Sequence, residues 1–296
     1  MNSIVYFTKD LSPNGLVKIL DNLNFTFKGT TGVKLHSGEA GNQNFIPPEF
    51  IIPLIKKIPH PVIVESNTAY EGERNTTSKH IALMKKHGWS KYFEVDILDE
   101  EDDDIVLDIP SGRTIKKNYV GNHLKRYQSM LVLSHFKGHP MGGYGGALKQ
   151  LSIGVASSRG KAYIHSAGRT IDVNNLWNDL PSQDDFLSAM SDSSSSVHNY
   201  FKGNICYISI LKNISVDCDC CSEAEDPCMK DIGIMASLDP IAIDIASLDM
   251  VYAQKDDKGL PHFKERVESR HGKLTIDFAE SLGFGTKNYT LINIDE

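Results

Sequence analysis

Between Ser134 and His165 the chain concentrates the residue types that anion binding and proton transfer need. They are His135, Lys137, His139, Gly142, Gly143, Gly145, Gly146, Lys149 and His165. The apolar run Met130–Leu133 leads in as a buried strand, and Ala147-Leu148-Lys149-Gln150-Leu151 leaves as the start of a helix. A strand, a glycine-rich turn and a helix start let the backbone come close to a ligand and aim free N–H groups at negative charge. Lys149 in the first helical turn opposes the dipole by about 0.3–1 kcal/mol, which makes sense opposite an anionic or electrophilic ligand. The competing reading is a tight strand–helix turn with its lysine in water, because GxxxxGK[ST] is absent. His135, His139 and His165 carry the acid–base or ligand potential of the segment, and the other histidines are taken as surface residues.

A second concentration is sulfur. Cys206, Cys218, Cys220, Cys221 and Cys228 are all the cysteines of the chain, and they all fall between residues 206 and 228. Five is an odd number, which does not suit a disulfide framework. Cys218 and Cys221 make a C-x-x-C, and thiolates at such spacings favour soft metals, zinc or iron in a sulfur cluster. The intervening carboxylates (Asp217, Asp219, Glu223, Glu225, Asp226) would repel one another without a cation and would raise the thiol pKa values. Redox-active thiols without metal, or plain reduced thiols in a surface loop, are the alternatives.

These groups need a scaffold, and the hydrophobic pattern supplies one. Expected strands are Ile4–Phe7, Gly32–Leu35, Val62–Glu65, Phe93–Ile97, Ile105–Ile109, Met130–Leu133, Ala162–Ile164, Ile205–Leu211, Ile232–Ala236 and Thr290–Ile294. Expected helices are Asn14–Leu23, Pro48–Ile58, Asn75–His87, Gly146–Gly154, Gln183–Met190, Pro240–Tyr252, Pro261–Arg270 and Thr275–Leu282. The alternation predicts an α/β fold with a mixed, mainly parallel sheet flanked by helices. The 296 residues form one domain, with a division into two lobes left open. Ligands in such folds sit at the carboxyl ends of strands.

Asp239-Pro240 reads as a helix start. Asp244 on that helix either faces solvent or points into a site, and Asp249 is read as solvated or paired. The acidic run Asp99–Asp104 reads as a solvated loop, with divalent-cation binding as the alternative. Asp192–Ser196 has linker composition and reads as part of a flexible surface excursion.

Net charge −7 argues against general nucleic-acid binding. No stretch reaches the roughly 18 apolar residues that span a bilayer. The first residues lack the basic start and apolar core of a signal peptide, which points to the cytoplasm.

The blocks VKLHSGEAGNQNFIPPEF, PVIVESNTAYEGERNTT, LVLSHFKGHPMGGYGGALKQLSIGVASSRGKAYIH and DCDCCSEAEDPCMKDIGIMASLDPIAIDIASLDMVY resemble the family called domain of unknown function three-six-two, over about residues 30–255. The resemblance implies an iron–sulfur protein, since many members carry an inserted ferredoxin-like module. Here no cysteine lies between His165 and Cys206, so that module is absent and any cluster must use the Cys206–Cys228 group.

A more distant resemblance is to the nickel-pincer lactate racemases. Their core has a histidine, a GxxGG turn, a lysine ten residues after the histidine and a histidine sixteen further on. Here these are His139, Gly142/Gly145/Gly146, Lys149 and His165. It implies Lys149 as anchor of a pincer-type nucleotide, His165 as metal ligand and His139 as proton shuttle, without a counterpart of that family's second catalytic histidine.

The first functional expectation is a metal- or iron–sulfur-dependent redox or small-molecule enzyme that binds a small anionic molecule or nucleotide-like cofactor beside Lys149. A redox partner protein would follow from its cluster. The alternatives are a racemase- or epimerase-like enzyme with a lysine-anchored nickel-pincer-type cofactor, and a non-catalytic metal or cofactor carrier.

Overall fold

The computed structural model describes residues 2–100, 103–255 and 258–295. In chain order the strands are β1 Ser3–Thr8, β2 Thr31–Lys34, β3 Pro61–Glu65, β4 Val95–Ile97, β5 Asp104–Asp108, β6 Lys117–Gly121, β7 Ser129–His135, β8 Lys137–His139, β9 Gly143–Gly145, β10 Ile205–Leu211, β11 Gly233–Ser237 and β12 Tyr289–Asn293. The helices are α1 Pro13–Leu23, α2 Pro48–Ile55, α3 Thr77–Lys86, α4 Trp89–Tyr92, α5 Ala147–Leu151, α6 Ser158–His165, α7 Gln183–Tyr200, α8 Pro240–Tyr252, α9 Gly259–Ser269 and α10 Leu274–Ser281.

Eight strands form one sheet in the order β12-β1-β11-β10-β7-β2-β3-β4. Every pairing in it is parallel except those of β11, which runs antiparallel to both β1 and β10. The central strands β7 and β10 are buried along their whole length, as a sheet covered on both faces requires. Leu16 and Ile19 of α1 and Ile51 and Leu54 of α2 cover one face, packing with Val33, Leu131 and Ile208. Leu148 and Leu151 of α5 and Ile241 and Leu248 of α8 cover the other, packing with Val132 and Tyr207. Two short antiparallel hairpins, β5–β6 and β8–β9, stand beside the sheet.

The α/β alternation is as expected, and so is the start of α8. Asp239 accepts from the N–H groups of Ile241 and Ala242 ahead of Pro240. Asp249 accepts from the Tyr289 hydroxyl at 2.8 Å, a paired surface carboxylate. Among the described residues no helix is long and apolar enough to cross a membrane.

Three local expectations are overturned. Ala162–Ile164 lies inside α6, not in a strand, and the Ser157 side chain caps that helix by accepting from Gly160 N–H. A three-residue apolar run carries no period of its own, and the cap decides it. Asp192–Ser196 is not a linker but the buried middle of α7. The preceding Ser191 Oγ lies 2.9 Å from the Leu187 carbonyl and 2.8 Å from the Thr275 carbonyl, either of which takes its one hydroxyl proton, and Ser194–Ser196 donate to carbonyls three residues back. Asp192 accepts from the N–H groups of Arg113, Thr114 and Ile115 at 2.8, 2.6 and 2.9 Å. Asp99 is buried rather than solvated, and it accepts from Asn67 N–H and Ser158 N–H at 2.9 Å each. Glu101 and Asp102 of the same acidic run lie outside the described residues.

Candidate functional site

The strands β2, β3 and β7 run parallel, so their carboxyl ends lie on one side of the sheet. A cavity of about 230 Å³ is found there. Lys34 and His36 reach it from the end of β2, Glu65 from the end of β3 and His139 from β8. Lys149 comes from α5, Lys161 and His165 from α6, and Cys220 and Cys221 from the cysteine loop. Tyr70, Met141, Ile153 and Trp177 supply an apolar wall.

Two of the cations are compensated internally. Lys34 Nζ donates to Glu65 Oε2 at 2.7 Å, to the Leu35 carbonyl at 2.6 Å and to Gln150 Oε1 at 3.0 Å. Arg74 donates to Glu39 Oε2 and to the Tyr70 hydroxyl at 3.0 Å each. Lys149 and Lys161 are different. Among the described residues no carboxylate oxygen lies within 4 Å of either amine. Lys149 Nζ has Cys218 Sγ at 3.9 Å, and Lys161 Nζ donates to the Ala156 carbonyl at 2.6 Å. Burial lowers Lys161 to about 7 against the pull of Asp99. Buried or half-buried amines without a carboxylate partner favour an anionic ligand.

Two of the three cavity histidines, His139 and His165, are set in opposite tautomers by their backbone contacts. Met141 N–H and Gly142 N–H both donate to His139 Nδ1, at 3.1 and 2.9 Å. The ring proton therefore sits on Nε2, 3.9 Å from Cys220 Sγ. His165 Nδ1 donates to the Lys161 carbonyl at 2.8 Å, which leaves a lone pair on Nε2. Burial, aided by the charge of Lys149, pushes each ring down to about 4, so both are neutral at pH 7. One neutral donor and one neutral acceptor thus share the cavity with a cation. Phe186 stacks on the His165 ring with centroids 5.2 Å apart.

The glycine-rich turn is not the anion cradle that the sequence suggested. The N–H groups of Ala147 and Leu148 at the start of α5 donate to Asp244, at 2.7 and 3.0 Å, and the Tyr144 hydroxyl adds a third bond at 3.1 Å. The acceptor at this helix start is the protein's own buried Asp244 carboxyl group. A Cβ on Gly146 would come within 2.4 Å of Asp244 Oδ1, and one on Gly143 (φ +79°) within 2.9 Å of Gly272. Gly145 packs against the Lys137 side chain, and Gly142 orients His139. The glycines position residues and do not approach the cavity as a cradle.

His135 and Lys137 are also redirected. His135 Nδ1 lies 2.9 Å from Asp219 Oδ1, and its Nε2 2.7 Å from the Lys212 carbonyl. Lys137 Nζ donates to Asp219 Oδ2 at 2.7 Å. Both residues hold the fully buried carboxylate between Cys218 and Cys220, rather than a ligand.

The five cysteines do not converge. Cys218 and Cys220 come together with His36, one ligand atom from each within 4.8 Å of the others. Cys221 lines the cavity outside that group. Cys206 is buried in β10 among Leu131, Ile208 and Ile234 on the far core face. Cys228 packs on the opposite core, its sulfur 3.6 Å from the Ile214 carbonyl. A cluster held by four thiolates therefore does not fit the described residues. Sequence reading missed His36, Arg74 and Lys161. His36 and Arg74 do fall in the blocks VKLHSGE and EGERN, beside the ends of expected strands. His80 and His123, taken as surface residues, are buried.

The family profile described as "Domain of unknown function (DUF362)" matches residues 31–249. No curated protein matches the chain. Among solved structures, a lactate racemase apoprotein from Thermoanaerobacterium thermosaccharolyticum aligns with TM-score 0.47 at 13% identity, over 83% of this chain. A protein from Thermotoga maritima aligns with TM-score 0.45 at 10% identity, over 91% of this chain. This chain spans 56% and 58% of those two chains, respectively.

Proposed function

We propose that this chain, which belongs to the family described as domain of unknown function (DUF362), is an enzyme that binds a small anionic molecule or nucleotide-like cofactor against Lys149, takes a proton from it with His165 and steadies the resulting charge with His139. The observation that carries this reading is the pair of opposed neutral tautomers beside an amine without a carboxylate partner. Lys149 and Lys161 attract and fix the anionic group. His165 Nε2 accepts a proton from the bound molecule, and the neutral His139 donates a hydrogen bond from Nε2–H to the negative charge that develops there. The wall of Tyr70, Met141, Ile153 and Trp177 limits water around the reacting atoms. A protein that only carries a metal would need the thiols and not this histidine pair.

A second reading is a racemase- or epimerase-like enzyme with a nickel-pincer-type nucleotide anchored on Lys149. The Nδ1 contact of His165 favours it, because a backbone carbonyl on one ring nitrogen is the usual support for metal ligation by the other. In that reading Lys149 holds the group, His165 ligates its metal, and the metal supplies the redox or Lewis-acid chemistry. Nickel together with added mass on the Lys149 peptide of anaerobically purified protein would promote this reading over the first.

The test of the first is a thermal-shift and calorimetric screen of small carboxylates, phosphate esters and nucleotides against wild type and Lys149→Met. At least one anion should bind wild type. The variant should lose at least about tenfold in affinity, since a charge-assisted bond contributes about 1.5–3 kcal/mol, and should melt within a few degrees of wild type. Equal affinity in both proteins, or no anion binding at all, would sink the proposal.

A further inference from the structure

We infer that His36, Cys218 and Cys220 form a site for one soft divalent metal ion of the zinc class, with a coordination position open to the cavity. The three side chains each offer one ligand atom, all within 4.8 Å of one another. His36 and Cys220 line the cavity, whereas Cys218 is buried behind them. Two thiolates neutralise a dication, and an imidazole completes a sulfur and nitrogen set that suits zinc. Three protein ligands with a vacancy is the pattern of sites that act on a bound molecule, whereas purely structural zinc sites are closed by four.

The loop that carries the sulfurs is held on several sides. His135 and Lys137 bind the Asp219 carboxylate between the two cysteines. Glu39 N–H donates to the Asp219 carbonyl at 2.8 Å. Asn42 Nδ2 donates to the Cys221 carbonyl at 2.9 Å, and Cys221 N–H to the Cys218 carbonyl at 2.9 Å. The outer contacts also favour thiolate sulfur. Lys149 Nζ stands 3.9 Å from Cys218 Sγ, and the protonated Nε2 of His139 stands 3.9 Å from Cys220 Sγ. His36 Nδ1 accepts from Gly38 N–H at 3.1 Å. Ligation through Nε2 moves the ring proton to Nδ1 and releases that one hydrogen bond, a small loss beside two metal–thiolate bonds.

This site adjoins the anion site and shares Lys149 and His139 with it as outer contacts, but its three ligands do not depend on an anion binding there, and one experiment separates the two. The full chain, stripped with a chelator under anaerobic reducing conditions, is titrated with Co(II) and then Zn(II). One equivalent should bind with a thiolate-to-cobalt charge-transfer band. In wild type, bound Zn(II) should protect Cys218 and Cys220 from alkylation, read by peptide mass, which needs no variant to fold. Cys218→Ser and Cys220→Ser should each lose more affinity than the about 10–100-fold that accompanies loss of an outer-shell partner. His36→Ala should lose at least about tenfold, while Cys206→Ser and Cys228→Ser should bind as wild type does. Absence of stoichiometric binding, protection of Cys206 or Cys228, or His36→Ala binding as tightly as wild type would each overturn the site. Lys149→Met should keep its equivalent of Co(II), so that anion binding and metal binding fail separately.

Discussion

An Asp219→Ala variant should lose about 3–5 kcal/mol of stability, because it leaves the Lys137 ammonium buried without its carboxylate. Lys137 and Asp219 are both buried, and their charges meet at 2.7 Å with His135 on the other oxygen. Burial alone would raise the Asp219 carboxyl. His135 and Lys137 outweigh it and hold the group well below the ordinary carboxylate range. The sign for pH follows from that depression. The contribution of Asp219 is fully present above the ordinary value near 4 and is lost as pH falls through the folded value. Urea unfolding at pH 7 reads the loss, with a fall in Tm of about 10 °C for a chain of this size. The double variant Lys137→Met/Asp219→Ala should recover part of it, because the stranded charge is removed as well. A single variant within 1 kcal/mol of wild type would mean that water reaches this charge. The thiol loop would then lack the rigid anchor that metal selectivity needs.

The layers of this fold were legible because they rest on local signals. Val62–Glu65, Met130–Leu133 and Ile205–Leu211 are apolar runs of strand length, and all three are buried strands of the one sheet. Asp239-Pro240 states a helix start in two residues. The failures come from residues whose meaning is set across the chain. Serine composition reads as linker, yet Ser191–Ser196 are buried because small side chains let α7 pack closely on α5 and α10, and because the hydroxyls of Ser191, Ser194, Ser195 and Ser196 each find a carbonyl. The same distance effect hid the partner of the glycine turn. Asp244 lies 97 residues from Ala147, and no spacing rule connects an acidic residue in an apolar helix to a distant helix start. His139, Lys149 and His165 were found because they share one segment, and the cavity does bring them together. His36 and Arg74 reach it from other strands' ends, which a single sequence read in order does not gather. Five clustered cysteines suggested one site, but β10 commits Cys206 to the far face of the sheet.

Asp244→Ala should be the second large loss, and its size should depend on pH in a direction that reports the charge of the native group. The substitution removes the acceptor of Ala147 N–H, Leu148 N–H and Tyr144 O–H in a fully buried place. Each stranded group costs about 1–3 kcal/mol, hence about 3 kcal/mol or more together. Two influences compete at this carboxyl. Burial pushes it up and the three donors pull it down, and burial wins, leaving the group raised to about 7. A folded value above the ordinary 3.8 means that the folded state binds the proton more tightly than the unfolded chain. The contribution of Asp244 to stability is then greatest at acid pH. It declines as pH rises from about 4 to 7, by up to about 4 kcal/mol at 1.36 kcal/mol per unit. The gap between wild type and Asp244→Ala should therefore narrow between pH 5 and pH 8, and Asp244→Asn should remove the slope. A gap that widens instead would show that the three donors win and that the native group is a carboxylate. Either outcome bears on the cavity, because α5 begins at Asp244's hydrogen bonds and carries Lys149 in that same turn. Loss of this anchor should weaken anion binding in Asp244→Ala even at a temperature where the variant remains folded.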